Sequence, residues 1–248
     1  MEAVFDLSLP TSWEQLTDKQ LRLVFALLAR DLSAAEVKTL CLMKWAQLRV
    51  INEHPKGVFL VQRGKQQTLL SSRQIQQATS VLDFLDALPP MPVRLARIGR
   101  HRALTADFEK VPFEKYLYVE NLFHGFLHTE SDDLLFQMTQ VLYDSDSIRP
   151  TKAELVNVFY WFASLKQYFS KMFPHFYTPM IADNDNLMGS GSLYEQLREA
   201  TNAQLRALTG GDITKERVIA LLDTHRALTE LDAKAREAEE YRKSIKSN

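Results

Sequence analysis

Two histidines four residues apart, His124 and His128, follow Glu120 in a stretch patterned as a helix. Spacings of four place all three side chains on one helical face, and imidazole and carboxylate are competent zinc or iron ligands. The run His124-Gly-Phe-Leu-His128 has the histidine spacing of a zinc-protease helix, but Gly125 stands where the general-base glutamate belongs. A metal would need further ligands, and none announces itself along the chain. The plain alternative is a polar helix edge with two ordinary histidines. A metal-dependent enzyme using Glu120, His124 and His128 is therefore one alternative, without a complete ligand set behind it.

A second group is basic. Arg94, Arg97, Arg100 and Arg102, with His101 among them, run without an acid before Asp107. Such a segment suits phosphate backbones or an acidic protein surface. Neither a recognition helix nor an aromatic stacking platform accompanies it. The plain alternative is an exposed strand whose arginines pair with acids such as Asp132 or Asp144. A third group is aromatic. Phe173-Pro-His-Phe-Tyr-Thr-Pro179 lies past a helix end and is expected to expose Phe176 and Tyr177 as a docking surface.

Other chemistry fails on inspection. Asp183-Asn-Asp-Asn186 begins like a calcium loop, but Leu187, Met188 and Tyr194 occupy the later positions it requires. Gly189-Ser-Gly-Ser192 lacks the lysine of a phosphate loop. Cys41, the single cysteine, has no histidine near it in sequence and reads as a small core residue. One cysteine allows no internal disulfide, which fits a reducing cytoplasm. The eight glycines disfavour glycine-rich cofactor loops. The expectation is a protein without a catalytic residue set and without a cofactor.

These groups need elements to hold them. Leu155, Val158, Phe159, Phe162, Leu165, Phe169 and Met172 recur at helical spacing, and Tyr160, Trp161 and Tyr168 widen the stripe. A helix apolar nearly all round is buried on several sides, so it is expected at the centre. Lys166, Gln167 and Lys171 break its apolar run, and no stretch reaches the roughly 18–20 residues of a membrane span. Thr17-Asp-Lys-Gln20, Ser33-Ala-Ala-Glu36 and Thr151-Lys-Ala-Glu154 have capping-box form and should open helices. Val58–Val61 and Gln67–Leu70 flank Arg63-Gly64-Lys65 as a β-hairpin would. Val93, Leu95, Ala103 and Leu104 are expected to add strands to its sheet. Pro112 should start the helix that carries Glu120 to His128, with Tyr116, Val119, Phe123 and Leu127 inward. A last helix should begin near Asp212 or Thr214 and carry Val218, Leu221, Leu222, His225, Leu228 and Leu231. From Ala233 to Lys246 it turns mostly charged.

Three stretches carry a resemblance: Leu9-Pro-Thr-Ser-Trp-Glu-Gln-Leu-Thr17, Phe169-Ser-Lys-Met-Phe-Pro-His-Phe176 and Leu208-Thr-Gly-Gly-Asp-Ile-Thr-Lys215 with the charged helix after it. The chain resembles uncharacterised helical proteins encoded among phage structural and tail-assembly genes. The resemblance implies action by contact with other proteins during particle assembly, and it brings no catalytic residues.

The expected fold is mainly α, a multi-helix bundle around a central aromatic helix, with a small β-hairpin or sheet insertion and a C-terminal helical pair. The expected division is a helical core over residues 1–182, with β structure near 57–70 and 92–105. A flexible linker over 183–192 and a helical hairpin with a charged tail over 193–248 complete it. The expected function is non-enzymatic protein–protein assembly or adaptor work. Other proteins, further copies of the chain or particle components would be its partners, with no membrane, in the cytoplasm or within a phage particle. Nucleic-acid binding through Arg94–Arg102 is the other alternative.

Overall fold

The computed structural model describes residues 8–177 and 193–246. The expected linker, 183–192, lies outside them. The fold is mainly α with a small antiparallel sheet. No helix among the described residues is long and apolar enough to cross a membrane. The chain forms two compact units. One is Met1–Pro89 with Val93–Ala96 and Thr151–Tyr160; the other is Pro90–Pro92 with Arg97–Pro150 and Trp161–Asn248. This departs from the expected boundaries. The C-terminal helices pack on each other, as expected, but also against earlier helices of their own unit, so they are not a separate domain.

In the first unit, α1 (Asp18–Leu28) and α2 (Ala34–Trp45) open with the capping boxes of Thr17–Gln20 and Ser33–Glu36. Each box satisfies backbone donors that the first helical turn leaves unpaired. Val24, Phe25 and Cys41 are fully buried, together with Trp13 and Leu42. Burial pushes the Cys41 thiol up to about 12, as a core residue requires. The indole of Trp13 donates to the carbonyls of Phe84 and Ala87 at 2.9 and 3.1 Å, so this large ring is buried with its polar atom paired.

The sheet holds three strands: β1 (Arg49–His54), β2 (Val58–Arg63) and β3 (Gln66–Ser71), in that order and antiparallel. The sequence pattern missed β1, which is exposed along its whole length and so lacks an apolar face to betray it. The β2–β3 loop is the two-residue Gly64-Lys65, with Gly64 at φ 58°, a backbone only glycine adopts cheaply at that turn position. α3 (Ser72–Thr79) follows and tightens into a 3-10 turn, Ser80–Asp86. The 92–105 segment does not join this sheet. Arg97–Ile98 (β4) and His101–Arg102 (β5) form a ladder of their own, while Leu95 donates its N–H to the buried Asn157 side chain at 2.8 Å.

The helix α6 (Lys152–Met172) is the expected aromatic one. Its residues through Tyr160 belong to the first unit and Trp161 onward to the second. Val158, Trp161, Phe162, Leu165 and Phe169 are fully buried, whereas Met172, expected inward, is exposed. In the second unit α6 meets α4 (Phe113–Thr129), where Tyr116 packs on Phe162 and Phe169. α5 (Asp132–Leu142) and α7 (Leu193–Thr209) lie against α4. Leu127 of α4, expected inward, is exposed. The expected last helix is broken in two: α8 (Glu216–Ala220) and α9 (Thr224–Lys246). Asp223 causes the break, because its carboxylate accepts from the N–H groups of Lys110 and Arg226 at 2.6 and 3.1 Å. Val218 and Leu221 are consequently exposed instead of buried.

Asn157 is the polar group the first unit holds most deeply. Replacing it with leucine leaves the Leu95 N–H buried without that acceptor, and we expect a loss of about 1–3 kcal/mol in urea unfolding. An unchanged midpoint would mean that this bond contributes nothing to stability.

Candidate functional site

The sequence candidates of α4 separate once the helix is in place. Tyr116, Glu120 and His124 follow at spacings of four and form one row. Glu120 is only 4% exposed, deep enough that its charge needs compensation. Lys166 from α6 supplies it in a short ion pair with the Glu120 carboxylate. Tyr116 donates to the same oxygen at 2.8 Å, and the hydroxyls of Tyr116 and Tyr177 lie 2.6 Å apart. Because the Tyr116 proton is directed to Glu120, the Tyr177 hydroxyl is the donor to Tyr116. The Lys166 ammonium also sits 4.6 Å from the centre of the Tyr177 ring, where the negative π-face attracts it.

Electrostatics follow from this packing. Burial pushes the Glu120 carboxyl up, but Lys166, the neighbouring His124 and the hydrogen bonds outweigh it and hold the group below its ordinary 4.5. Burial, reinforced by the Glu120 charge, keeps Tyr116 and Tyr177 well above the usual phenol range. His124 is held below its ordinary 6.5 by burial first, then by Lys166 and His128, against the pull of Glu120. The carboxylate is thus already neutralised and the two phenols stay protonated. That is the chemistry of a tie between α4, α6 and the segment carrying Tyr177.

The metal reading therefore needs correction. Glu120 does not share a cation site with His124 and His128, because the Lys166 ammonium occupies its charged face. His128 lies on the exposed end of α4. Among the described residues no three His, Cys, Asp or Glu side chains converge as metal ligands would. The docking expectation at Phe176 and Tyr177 also changes. Tyr177 is 5% exposed, and Phe176 is half-buried with its backbone N–H bonded to Asp232 of α9 at 2.9 Å. Their aromatic character serves the interior.

The four arginines are divided between the two units. Arg94 is half-buried in the first unit. The other three stand on the β4–β5 hairpin of the second unit, all exposed: Arg97 directly opposite Arg102, and Arg100 in the turn beside Gly99 at φ 55°. Asp144, a suggested partner, pairs with Lys115 at 2.7 Å instead.

Sequence reading missed the ionic tie. Lys166 looked like a polar interruption of an apolar helix, and its partner lies 46 residues away. The one available signal was a lysine amid the most aromatic stretch of the chain, a position that demands a buried acid. The sequence pattern marked the end of α9 as a charged tail but not the apolar edge on it. Its residues from Arg236 to Ile245 are all exposed, with Tyr241 at 69% and Ile245 at 59%.

No protein-family model matches the chain, and neither the curated proteins nor the solved structures contain a match.

The tie makes stability depend on pH in a defined sense. A buried histidine held below 6.5 and a carboxylate held below 4.5 both contribute stability at higher pH. Unfolding free energy should fall as pH drops below 6.5, and fall again as it drops below 4.5 towards the depressed value of Glu120. Lys166→Met leaves the carboxylate buried without its cation, and we expect a cost of about 3–5 kcal/mol at neutral pH. Burial alone raises the carboxyl pKa, so the deficit against wild type should shrink on acidification. A deficit that stays constant from pH 8 to pH 4 in denaturant titrations would refute the ion-pair assignment.

Proposed function

We propose that the protein is a non-enzymatic assembly or adaptor component that acts by docking a helix onto other proteins. The observation that carries this reading is the end of α9. The helix is buried through Ala227, Leu228 and Leu231, then continues as Arg236–Ile245 with every residue exposed. Ala238, Tyr241 and Ile245 recur at spacings of three and four, which aligns them along one edge. Glu239 ties to Lys243 at 2.8 Å and to His175 at 3.1 Å on another side of the helix. Those contacts are exposed and weak, so they do not account for two large apolar side chains held in water. An amphipathic helix entering a partner's groove does. The resemblance to helical proteins of phage tail assembly points to the same mode of action. Partners would be further copies of the chain or components of a particle.

The test is association of the purified full chain, with itself or with purified products of neighbouring genes, by size-exclusion chromatography with light scattering. Tyr241→Ala with Ile245→Ala should weaken the complex on the order of tenfold or more, with an unchanged melting temperature. A chain that stays monomeric and binds none of those products contradicts the reading.

A second reading rests on the β4–β5 hairpin. Like charges directly opposite on a ladder repel, and Arg97 and Arg102 are so placed with Arg100 beside them. A nucleic-acid backbone fits three exposed arginines grouped on one hairpin. Charge reversal of Arg97, Arg100 and Arg102 should then abolish a mobility shift of duplex DNA at low salt and lower the salt slope by roughly 2–3. No shift of the wild-type protein at low salt ends this reading.

A further inference from the structure

We propose that the groove between α1 and α2 receives the projecting end of α9 from a second copy of the chain. The inference rests on reading the α9 end as a docking surface and names its receptor. The groove, of about 600 Å³, has an apolar floor from Leu23, Leu40, Met43 and Trp45, with Lys19 and Lys44 at its margin. Its lining contains no carboxylate. Leu40 stays 42% exposed although it belongs to an otherwise well-packed helix, and both lysines are exposed. Chemically, such a groove calls for an apolar helix edge with acids alongside.

The end of α9 has that form. Ala238, Tyr241 and Ile245 make the apolar edge; Glu237, four residues before Tyr241, and Glu240, three residues after Glu237, stand along one border. Both glutamates are exposed and lie apart from the Glu239–Lys243 pair. Seating the edge on the groove floor brings Glu237 and Glu240 towards Lys19 and Lys44, and covers Leu40, Tyr241 and Ile245 in one contact. The ring of Trp45 is half-buried and adds apolar surface to the groove floor. Groove and helix end are different surfaces of the same chain. The contact is therefore heterologous, and repetition gives rings or open filaments. A device of this kind propagates an assembly from one chain type.

The experiment uses three full-length proteins in light scattering across a concentration series. One carries a disabled groove (Lys19→Glu, Leu40→Glu, Lys44→Glu), one a disabled helix end (Tyr241→Glu, Ile245→Glu), and one is wild type. Wild type should exceed monomer mass, each variant alone should be monomeric, and their equimolar mixture should form a dimer and stop there. All substituted positions are exposed, and circular dichroism checks that each variant folds. A reversed pair guards against indirect effects: Glu237→Lys with Glu240→Lys should restore association with Lys19→Glu with Lys44→Glu. A groove variant that associates as wild type does, or a mixture that stays monomeric, overturns the proposal. If only the helix-end variant loses association, the docking function of α9 stands and its receptor lies elsewhere.

Discussion

A carboxylate removed from water must be met by a positive charge, and in this protein that demand fixes the second unit. Glu120 sits inside α4 at 4% exposure, and Lys166 of α6 is the cation that meets it. The pair sets which turn of α6 faces which turn of α4. The tyrosine pair then extends the constraint to the chain beyond α6, because Tyr177 must reach Tyr116. α5, α7, α8 and α9 all pack on α4, so the helix carrying the buried charge is also the platform of the unit.

Such a pair adds less to net stability than its Coulomb attraction suggests, since both ions lose their hydration. Its larger effect is to make alternatives costly. A shift of α6 by one turn would strand the Glu120 charge in an apolar interior built from Phe162, Phe169 and Phe173. The interior is rigidly specified and its ionisable groups are matched to each other. The surface carries an apolar helix end, an apolar groove with a lysine margin and a hairpin of exposed arginines. Function is therefore read from the outside of this fold.

Much of the architecture was legible in the sequence because it follows from local patterns. The Thr17, Ser33 and Thr151 capping boxes open the helices they were expected to open. The aromatic periodicity of α6 marks a buried helix, and Pro112 immediately precedes α4. What failed depends on distant partners. β1 carries no apolar alternation, so only its pairing with β2 reveals it. Phe176 and Tyr177 read as exposed because the sequence beyond the proline looked like a loop, yet Asp232 and Tyr116 capture them. Glu120 entered a metal-site alternative, and its true partner was missed because nothing local announces Lys166. The last helix read as one element because no sequence rule predicted that Asp223 would bond to Lys110 and break it.

The proposal that the exposed end of α9 is covered only by another protein molecule is decided by hydrogen exchange of the full chain as a function of concentration. Amides of residues 236–245 should exchange rapidly in dilute solution and gain protection on concentration, in step with those lining the α1–α2 groove. Protection of 236–245 that is already complete in dilute monomer, or exchange there that never changes with concentration or with any added partner, would contradict it.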